Sequence, residues 1–226
     1  MFCDRGVRVV AVALCLCAVA DAQSDNGTIV GHVKLRTRVG AALPSTAYPA
    51  RAIGVAQSKP LPEIKNVVVY LKDVPYRGAL ATRRVEMNQD HETFVPHVLA
   101  VTRGSTIDFP NEDPIYHNVF SLSSAASFNL GRYPTGQSRR QPMTKAGIVK
   151  VYCQIHSHMS ATILVFDHPY FTIPELDGSF ELTNVPPGDY GIVGWHERVG
   201  ERITTVHVDR GRTVTVDLSL PVDERP

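Results

Sequence analysis

The apolar residues of this chain occur in short, β-branched runs, many of which alternate with polar residues, and we find no convincing helical period. The 226 residues include 16 Gly and 16 Pro, which are scattered along the chain and interrupt long helices. Alternation with turn residues between the runs predicts an all-β chain of sandwiches or barrels. The predicted strands are 28–35, 66–71, 84–87, 98–102, 106–109, 118–122, 148–152, 162–166, 179–182, 190–195, 203–208 and 213–218.

The charges of the chain nearly cancel, with 23 Lys and Arg against 22 Asp and Glu and a formal net charge of +1. This balance removes the electrostatic argument for binding nucleic acid or an anionic membrane surface. Hydrophobic residues make up 43% of the chain, which argues against disorder throughout. The length suits one large β domain or two small ones.

The first 22 residues have the pattern of a secretory signal peptide. Two arginines precede an apolar run over residues 9–20, which is too short to span a bilayer comfortably. Ala20-Asp21-Ala22 fits a small-x-small cleavage site, so the mature chain is expected to begin near Gln23. The alternative is an uncleaved anchor helix. We therefore expect a periplasmic or secreted protein with no membrane span after signal removal.

Removal of this segment would leave Cys153 as the only thiol, because Cys3, Cys15 and Cys17 all lie within it. An exported chain with one thiol cannot form an internal disulfide. Such a thiol must be buried, paired with another chain or bound to a ligand. A soft metal ion is a common ligand for it.

Two segments contain the strongest metal-binding chemistry. The first runs from Asp108 to Phe120 and contains His117, and the second contains Cys153, His156 and Met159. Two imidazoles, one thiolate and a weak axial thioether form the ligand set of blue-copper electron-transfer centres. The loop after Cys153 would lie between two predicted strands, and a distant strand would deliver His117. The sequence therefore predicts one mononuclear copper centre.

Several alternatives to this ligand set stay open. His158 lies beside Met159 and is an alternative axial ligand, although a solvent-exposed loop position is favoured for it. Zinc could occupy a Cys-His-His site, and we rate it below copper. Cys153 could also be an inert buried residue. Four protein ligands would leave no open position for a substrate, so we expect no enzymatic activity.

The spacing Cys153-x-x-His156-x-x-Met159 resembles the ligand loop of amicyanin, and His117-Asn118-Val119 resembles the corresponding segment of plastocyanin and amicyanin. The chain is similar to these cupredoxins over about residues 80–168. The resemblance implies a Greek-key β-sandwich that binds copper. It also implies that the backbone near Asn118 donates a hydrogen bond to the Cys153 sulfur, a contact that would tune the reduction potential.

The resemblance further implies a carrier of single electrons between redox protein partners in the cell envelope. An apolar rim around His156 would dock those partners, formed by Pro114, Ile115, Tyr116 and Ile155. The alternative function is a binding or structural module of the cell envelope, with a carbohydrate or protein ligand, in which copper is only bound or sequestered.

The flanking segments form a second pattern, from the strand at 28–35 to Asp177-Gly178 and the strands that follow. They resemble the transthyretin-like, carboxypeptidase-regulatory type of β-sandwich. The resemblance implies a discontinuous domain of residues 27–79 and 169–222, into which the cupredoxin is inserted. The alternative arrangement is two consecutive domains, with residues 27–75 belonging to the cupredoxin. Pairing of residues 28–35 only with cupredoxin strands would favour it.

Overall fold

The structure is a computed structural model that describes residues 25–36 and 62–221. The predicted signal peptide lies outside these residues. No helix in the described part of the chain has the length and apolar character needed to cross a membrane. A 3₁₀ helix covers Glu63–Asn66. The strands are β1 (Gly27–Leu35), β2 (Val68–Lys72), β3 (Arg84–Glu86), β4 (Asn88–Asp90), β5 (Thr93–Val95), β6 (Val98–Thr102), β7 (Thr106–Pro110), β8 (His117–Ser123), β9 (Ala126–Tyr133), β10 (Ser138–Pro142), β11 (Gly147–Tyr152), β12 (Ser160–Phe166), β13 (Phe171–Thr172), β14 (Ser179–Val185), β15 (Gly188–His196), β16 (Gly200–Val208), β17 (Thr213–Thr215) and β18 (Leu218–Leu220).

The all-β fold expected from the sequence pattern is confirmed. Every predicted strand overlaps an observed one, although the segment 213–218 is interrupted between β17 and β18. The predicted strands did not include β4, β5, β9, β10 and β13. β4, β5 and β13 have three residues or fewer, and β10 is an edge strand of largely exposed polar residues, whereas β9 alternates partly buried apolar residues with exposed ones. An edge strand needs no apolar alternation, and charged residues there discourage pairing with other chains.

A first pair of sheets encloses the core that supports the predicted copper ligands. One sheet has the order β6-β12-β11-β8-β9, and the other has the order β10-β7-β3. The buried side chains shared by them include Phe109 from β7, Val119 from β8, Val151 from β11 and Ile163 from β12. Packed side chains from both sheets hold the ends of β8 and β11 in place.

A second pair of sheets has a separate core. One sheet has the order β14-β1-β17, with β18 also paired to β1, and the other has the order β13-β2-β15-β16. Ile29, Leu71, Leu182, Ile192 and Leu220 are buried together between them. This core therefore joins residues from near both ends of the described chain.

The partners of β1 distinguish the two domain arrangements. β1 pairs antiparallel with β14 and parallel with β17 and β18. Among the described strands, neither β1 nor β2 pairs with any strand from β3 to β12. The inserted arrangement requires this pairing, whereas the consecutive arrangement was expected to pair β1 with cupredoxin strands. The division into domains stays a prediction.

A third apolar cluster joins the two pairs of sheets. Trp195 and Val193 of β15 and Tyr70 of β2 pack with Leu164 and Phe166 of β12. One face of the five-stranded sheet is therefore covered in part by the second pair of sheets. This contact between the two pairs of sheets is therefore apolar.

Candidate metal centre

Two neighbouring strands deliver the residues predicted to bind the metal. His117 begins β8, and Cys153 directly follows β11. β8 and β11 are adjacent in the five-stranded sheet, so their ends lie side by side. The loop after Cys153 turns tightly. The Cys153 N–H donates to the Met159 carbonyl at 3.2 Å, and the Met159 N–H donates to the His156 carbonyl at 3.0 Å. This turn returns His156 to the end of β8.

Three side chains converge at this point. The Nδ1 atoms of His117 and His156 lie 3.0 Å apart, and each is 3.8 Å from the Cys153 sulfur. Among the described residues, these three form the one group of His, Cys, Asp and Glu side chains that is close enough to hold a metal ion. His117 and Cys153 are buried, and His156 is half-buried.

The spacing of these atoms suits one small ion. An ion bound at about 2.0 Å from nitrogen and about 2.3 Å from sulfur, in a trigonal arrangement, would separate its ligand atoms by about 3.5–3.7 Å. The distances of 3.0 and 3.8 Å lie near this range, so little movement is needed to bind an ion. The donor set of two nitrogens and one thiolate sulfur fits copper.

The environment of Cys153 favours the thiolate that metal binding requires. Burial of the sulfur raises its pKa, but hydrogen bonds from His117 and from the backbone of Asn118, His156 and Ile155 outweigh burial and lower the pKa to about 6. A thiolate is the form that binds metals. The backbone contact from Asn118 is the one that the cupredoxin resemblance implies.

Asn118 also connects the two ligand-bearing segments. Its side-chain oxygen accepts the N–H of Gln154 at 2.8 Å, and its side-chain nitrogen donates to Asn129 at 2.9 Å. The strand that begins with His117 is therefore tied to the loop that begins with Cys153. Such contacts outside the ligands hold their relative positions.

The structure separates the two candidates for the axial position. Met159 is buried in the same apolar cluster as Cys153. The His158 imidazole is 62% exposed, lies 3.2 Å from the Glu92 carboxylate and does not belong to the convergent group. This matches the loop position favoured for His158, and Met159 as the axial ligand stays a prediction.

The predicted docking rim lies on the surface beside the convergent group. Ile115 and Ile155 are each 38% exposed, Tyr116 is 59% exposed, and Pro114 is also exposed. Tyr152, which was not predicted for the rim, is 38% exposed and directly precedes Cys153. Exposed apolar side chains therefore flank both imidazoles in the sequence.

Asp113 is a residue of the site that the sequence did not predict. It is buried, and its carboxylate lies 2.6 Å from Nε2 of His117. Burial lowers the pKa of His117, but contacts with Cys153 and Asp113 outweigh burial and raise it. An acidic residue four positions before the predicted ligand was the available signal, but the spacing alone does not show that the carboxylate turns inward.

The chain matches no family model and no curated protein. Several solved structures are similar to part of it. A reduced amicyanin variant shares 20% identity, with 36% of this chain and 80% of that chain covered and a TM-score of 0.34. A purple cupredoxin from Nitrosopumilus maritimus shares 24% identity over 33% and 83% of the two chains, with a TM-score of 0.31. A copper-containing nitrite reductase from Thermus scotoductus shares 23% identity over 61% and 28%, with a TM-score of 0.36. Because these likenesses are partial, the metal site is inferred from the geometry of this chain's own residues.

Proposed function

We propose that this protein is an exported mononuclear copper protein that carries single electrons between redox partners of the cell envelope. The observation that supports this most directly is the convergence of two imidazole Nδ1 atoms and one thiolate sulfur at the ends of adjacent strands. Copper bound there would supply a one-electron Cu(I)/Cu(II) couple. The protein would supply a rigid ligand set that suits both oxidation states.

The burial of the ligands supports electron transfer over catalysis. His117, Cys153 and Met159, the proposed fourth ligand, are all buried. With Met159 bound, the protein would leave no position for a substrate at the metal. His156 is half-buried and follows the exposed Ile155, so its ring is the ligand nearest to a docked partner.

We also propose that the copper-binding unit of about residues 80–168 is inserted into a second sandwich of residues 27–79 and 169–222, similar to transthyretin-like domains. Two separate buried cores and the pairing of β1 with β14, β17 and β18 support this arrangement. The second sandwich covers part of the five-stranded sheet through Trp195 and Phe166. It would therefore act as a rigid support that orients the copper unit.

Copper titration followed by visible spectroscopy tests the proposed centre. The wild-type protein should bind one copper per chain and develop an intense thiolate-to-copper absorption band in the red. Cys153→Ala should lose the band, because it removes the thiolate that produces it. His158→Ala is the matched control, since this exposed imidazole lies in the same loop, and it should keep the band. Absence of the band in wild type, or its persistence in Cys153→Ala, would contradict the proposal.

A further inference from the structure

We propose that Asp113 is a positioning residue of this centre, which holds the proton of His117 on Nε2 and strengthens binding of the more highly charged metal state. The proposal rests on the proposed function for the identity of the metal and its redox couple. The position of the proton does not depend on that function.

The side chains of Asp113 and His117 are in direct contact. The Asp113 carboxylate can only accept hydrogen bonds, and one of its oxygens lies 2.6 Å from Nε2 of His117. A neutral imidazole carries one proton, and the Asp113 oxygen at 2.6 Å from Nε2 is a much closer acceptor than the Cys153 sulfur at 3.8 Å from Nδ1, so the proton of the neutral ring belongs on Nε2. The Nδ1 atom is then left with a free lone pair, and Nδ1 is the atom that faces Cys153 and His156. The carboxylate therefore selects the tautomer that can bind the ion.

Backbone donors fix the carboxylate itself. The N–H of His91 donates to Oδ1 of Asp113 at 2.5 Å, and the N–H of Glu92 donates to Oδ2 at 2.8 Å. Two side chains fix the backbone of Asp113: its N–H donates to the Asn111 side-chain oxygen at 3.0 Å, and the Thr135 hydroxyl donates to its carbonyl. The carboxylate is thus held by two backbone donors, and the Asp113 backbone is held by two side chains, as a residue that orients a metal ligand requires.

The turn between β4 and β5 is built to make these contacts. His91 and Glu92 both have φ of 53°, so two consecutive residues other than glycine adopt the left-handed conformation. This conformation accompanies the donation of both N–H groups to Asp113. The Glu92 carboxylate in turn lies 3.2 Å from His158 in the second ligand-bearing loop. The same turn therefore contacts both loops of the site.

The charge of Asp113 predicts the direction of its effect on the metal. A carboxylate hydrogen-bonded to an imidazole ligand makes the imidazole a stronger donor, which favours Cu(II) over Cu(I). Loss of such a contact typically weakens metal binding by about 10- to 100-fold. Each tenfold loss of affinity for Cu(II), with the affinity for Cu(I) unchanged, raises the reduction potential by about 59 mV.

Imidazole ¹H–¹⁵N spectroscopy of the metal-free protein tests the tautomer. Where the spectra show a neutral His117 ring, its proton should be on Nε2. A proton on Nδ1 would overturn the proposal. This result is independent of copper, so a chain that gives no copper chromophore but shows the Nε2 tautomer would refute the proposed function and support the role of Asp113.

The reduction potential of Asp113→Asn tests the effect of charge. The amide oxygen can still accept the His117 proton, so the copper site should form, with a potential at least 59 mV higher for a tenfold selective loss of Cu(II) affinity. Asp108→Asn is the control, because Asp108 is a buried carboxylate of β7 that contacts Arg84 and Arg140. It should leave the potential unchanged.

Two further measurements separate the charge of Asp113 from a purely structural role. Asp113→Glu retains the charge and should have a potential closer to wild type than Asp113→Asn, and an equal shift in both would overturn the proposal. Zinc affinity, measured by competition with a chromophoric chelator, should fall about 10- to 100-fold in Asp113→Asn. An unchanged zinc affinity together with an unchanged potential would show that Asp113 only stabilises the loop.

Discussion

Glu197 provides a quantitative test of the contact between the two pairs of sheets. It lies in the turn between β15 and β16, and its carboxylate is 2.6 Å from Nε2 of His97, which precedes β6. The same carboxylate lies 3.3 Å from the Thr162 hydroxyl and 3.6 Å from the Lys150 ammonium. Replacing it with Gln removes the charge at nearly constant volume. We expect Glu197→Gln to destabilise the protein at mildly acidic pH.

The magnitude follows from the pKa values of the two groups. The hydrogen bond with His97 holds the pKa of Glu197 at about 2, against its ordinary value of 4.5. At about 1.4 kcal/mol for each pKa unit, this difference corresponds to about 3.4 kcal/mol. Both side chains are 28% exposed, and solvent screening reduces the expected loss to about 1–2 kcal/mol.

The sign of each pKa change defines the pH window. The stabilisation from Glu197 is present above pH 4.5 and is lost as the pH falls toward about 2. The contact with Glu197 outweighs burial and raises the pKa of His97 above 6.5, so its stabilisation is present below pH 6.5 and is lost as the pH rises through the folded-state pKa. The difference between wild type and Glu197→Gln should therefore be largest between pH 4.5 and 6.5.

Urea unfolding of the metal-free protein, measured across this pH range, checks the prediction. The control is Asp189→Asn, because Asp189 pairs with His207 on the surface, where both side chains are more than half exposed. That variant should lose less than about 1 kcal/mol. A pH-independent difference for Glu197→Gln, or none at pH 5.5, would refute the reasoning about this contact.

Two further substitutions test the packing around β1 and the proposed docking rim. At Gly31 of β1, a Cβ atom would lie 1.8 Å from the Val216 carbonyl oxygen, so Gly31→Ala should lower the free energy of unfolding by about 3 kcal/mol in thermal melts. Gly194→Ala is its control, since the nearest atoms there are 3.4 Å away, and an equal loss in both would contradict the packing argument. Tyr116→Asp should leave the copper absorption unchanged and slow electron self-exchange about tenfold, because two negative charges would meet when two rims come into contact. An unchanged rate would exclude Tyr116 from the docking surface.

The convergence of the ligands could be predicted because it depends on short-range features. Cys153 and His156 lie three residues apart after a strand of alternating burial, so the local pattern predicts that they share a loop. His117 required the further assumption that its strand lies beside that loop, and the pairing of β8 with β11 satisfies it. The ligand types themselves limited the choice of metal.

Other features depend on contacts that no local pattern encodes. β10 has the sequence Ser-Arg-Arg-Gln-Pro and forms a strand because β7 offers it an unpaired edge. Asp113 becomes part of the site because a turn more than 20 residues earlier donates two N–H groups to it. Its role therefore requires the three-dimensional structure.

Spectroelectrochemistry of the copper-loaded protein shows whether its copper accepts and returns single electrons. We expect the red absorption band to disappear on reduction and to return on oxidation, following a one-electron Nernst curve in both directions. Its ligands should need little rearrangement, because the ligand atoms of His117, Cys153 and His156 lie within 4.8 Å of one another. A protein that binds copper and is coloured, but whose band does not respond reversibly to applied potential, would contradict electron transfer and favour copper sequestration.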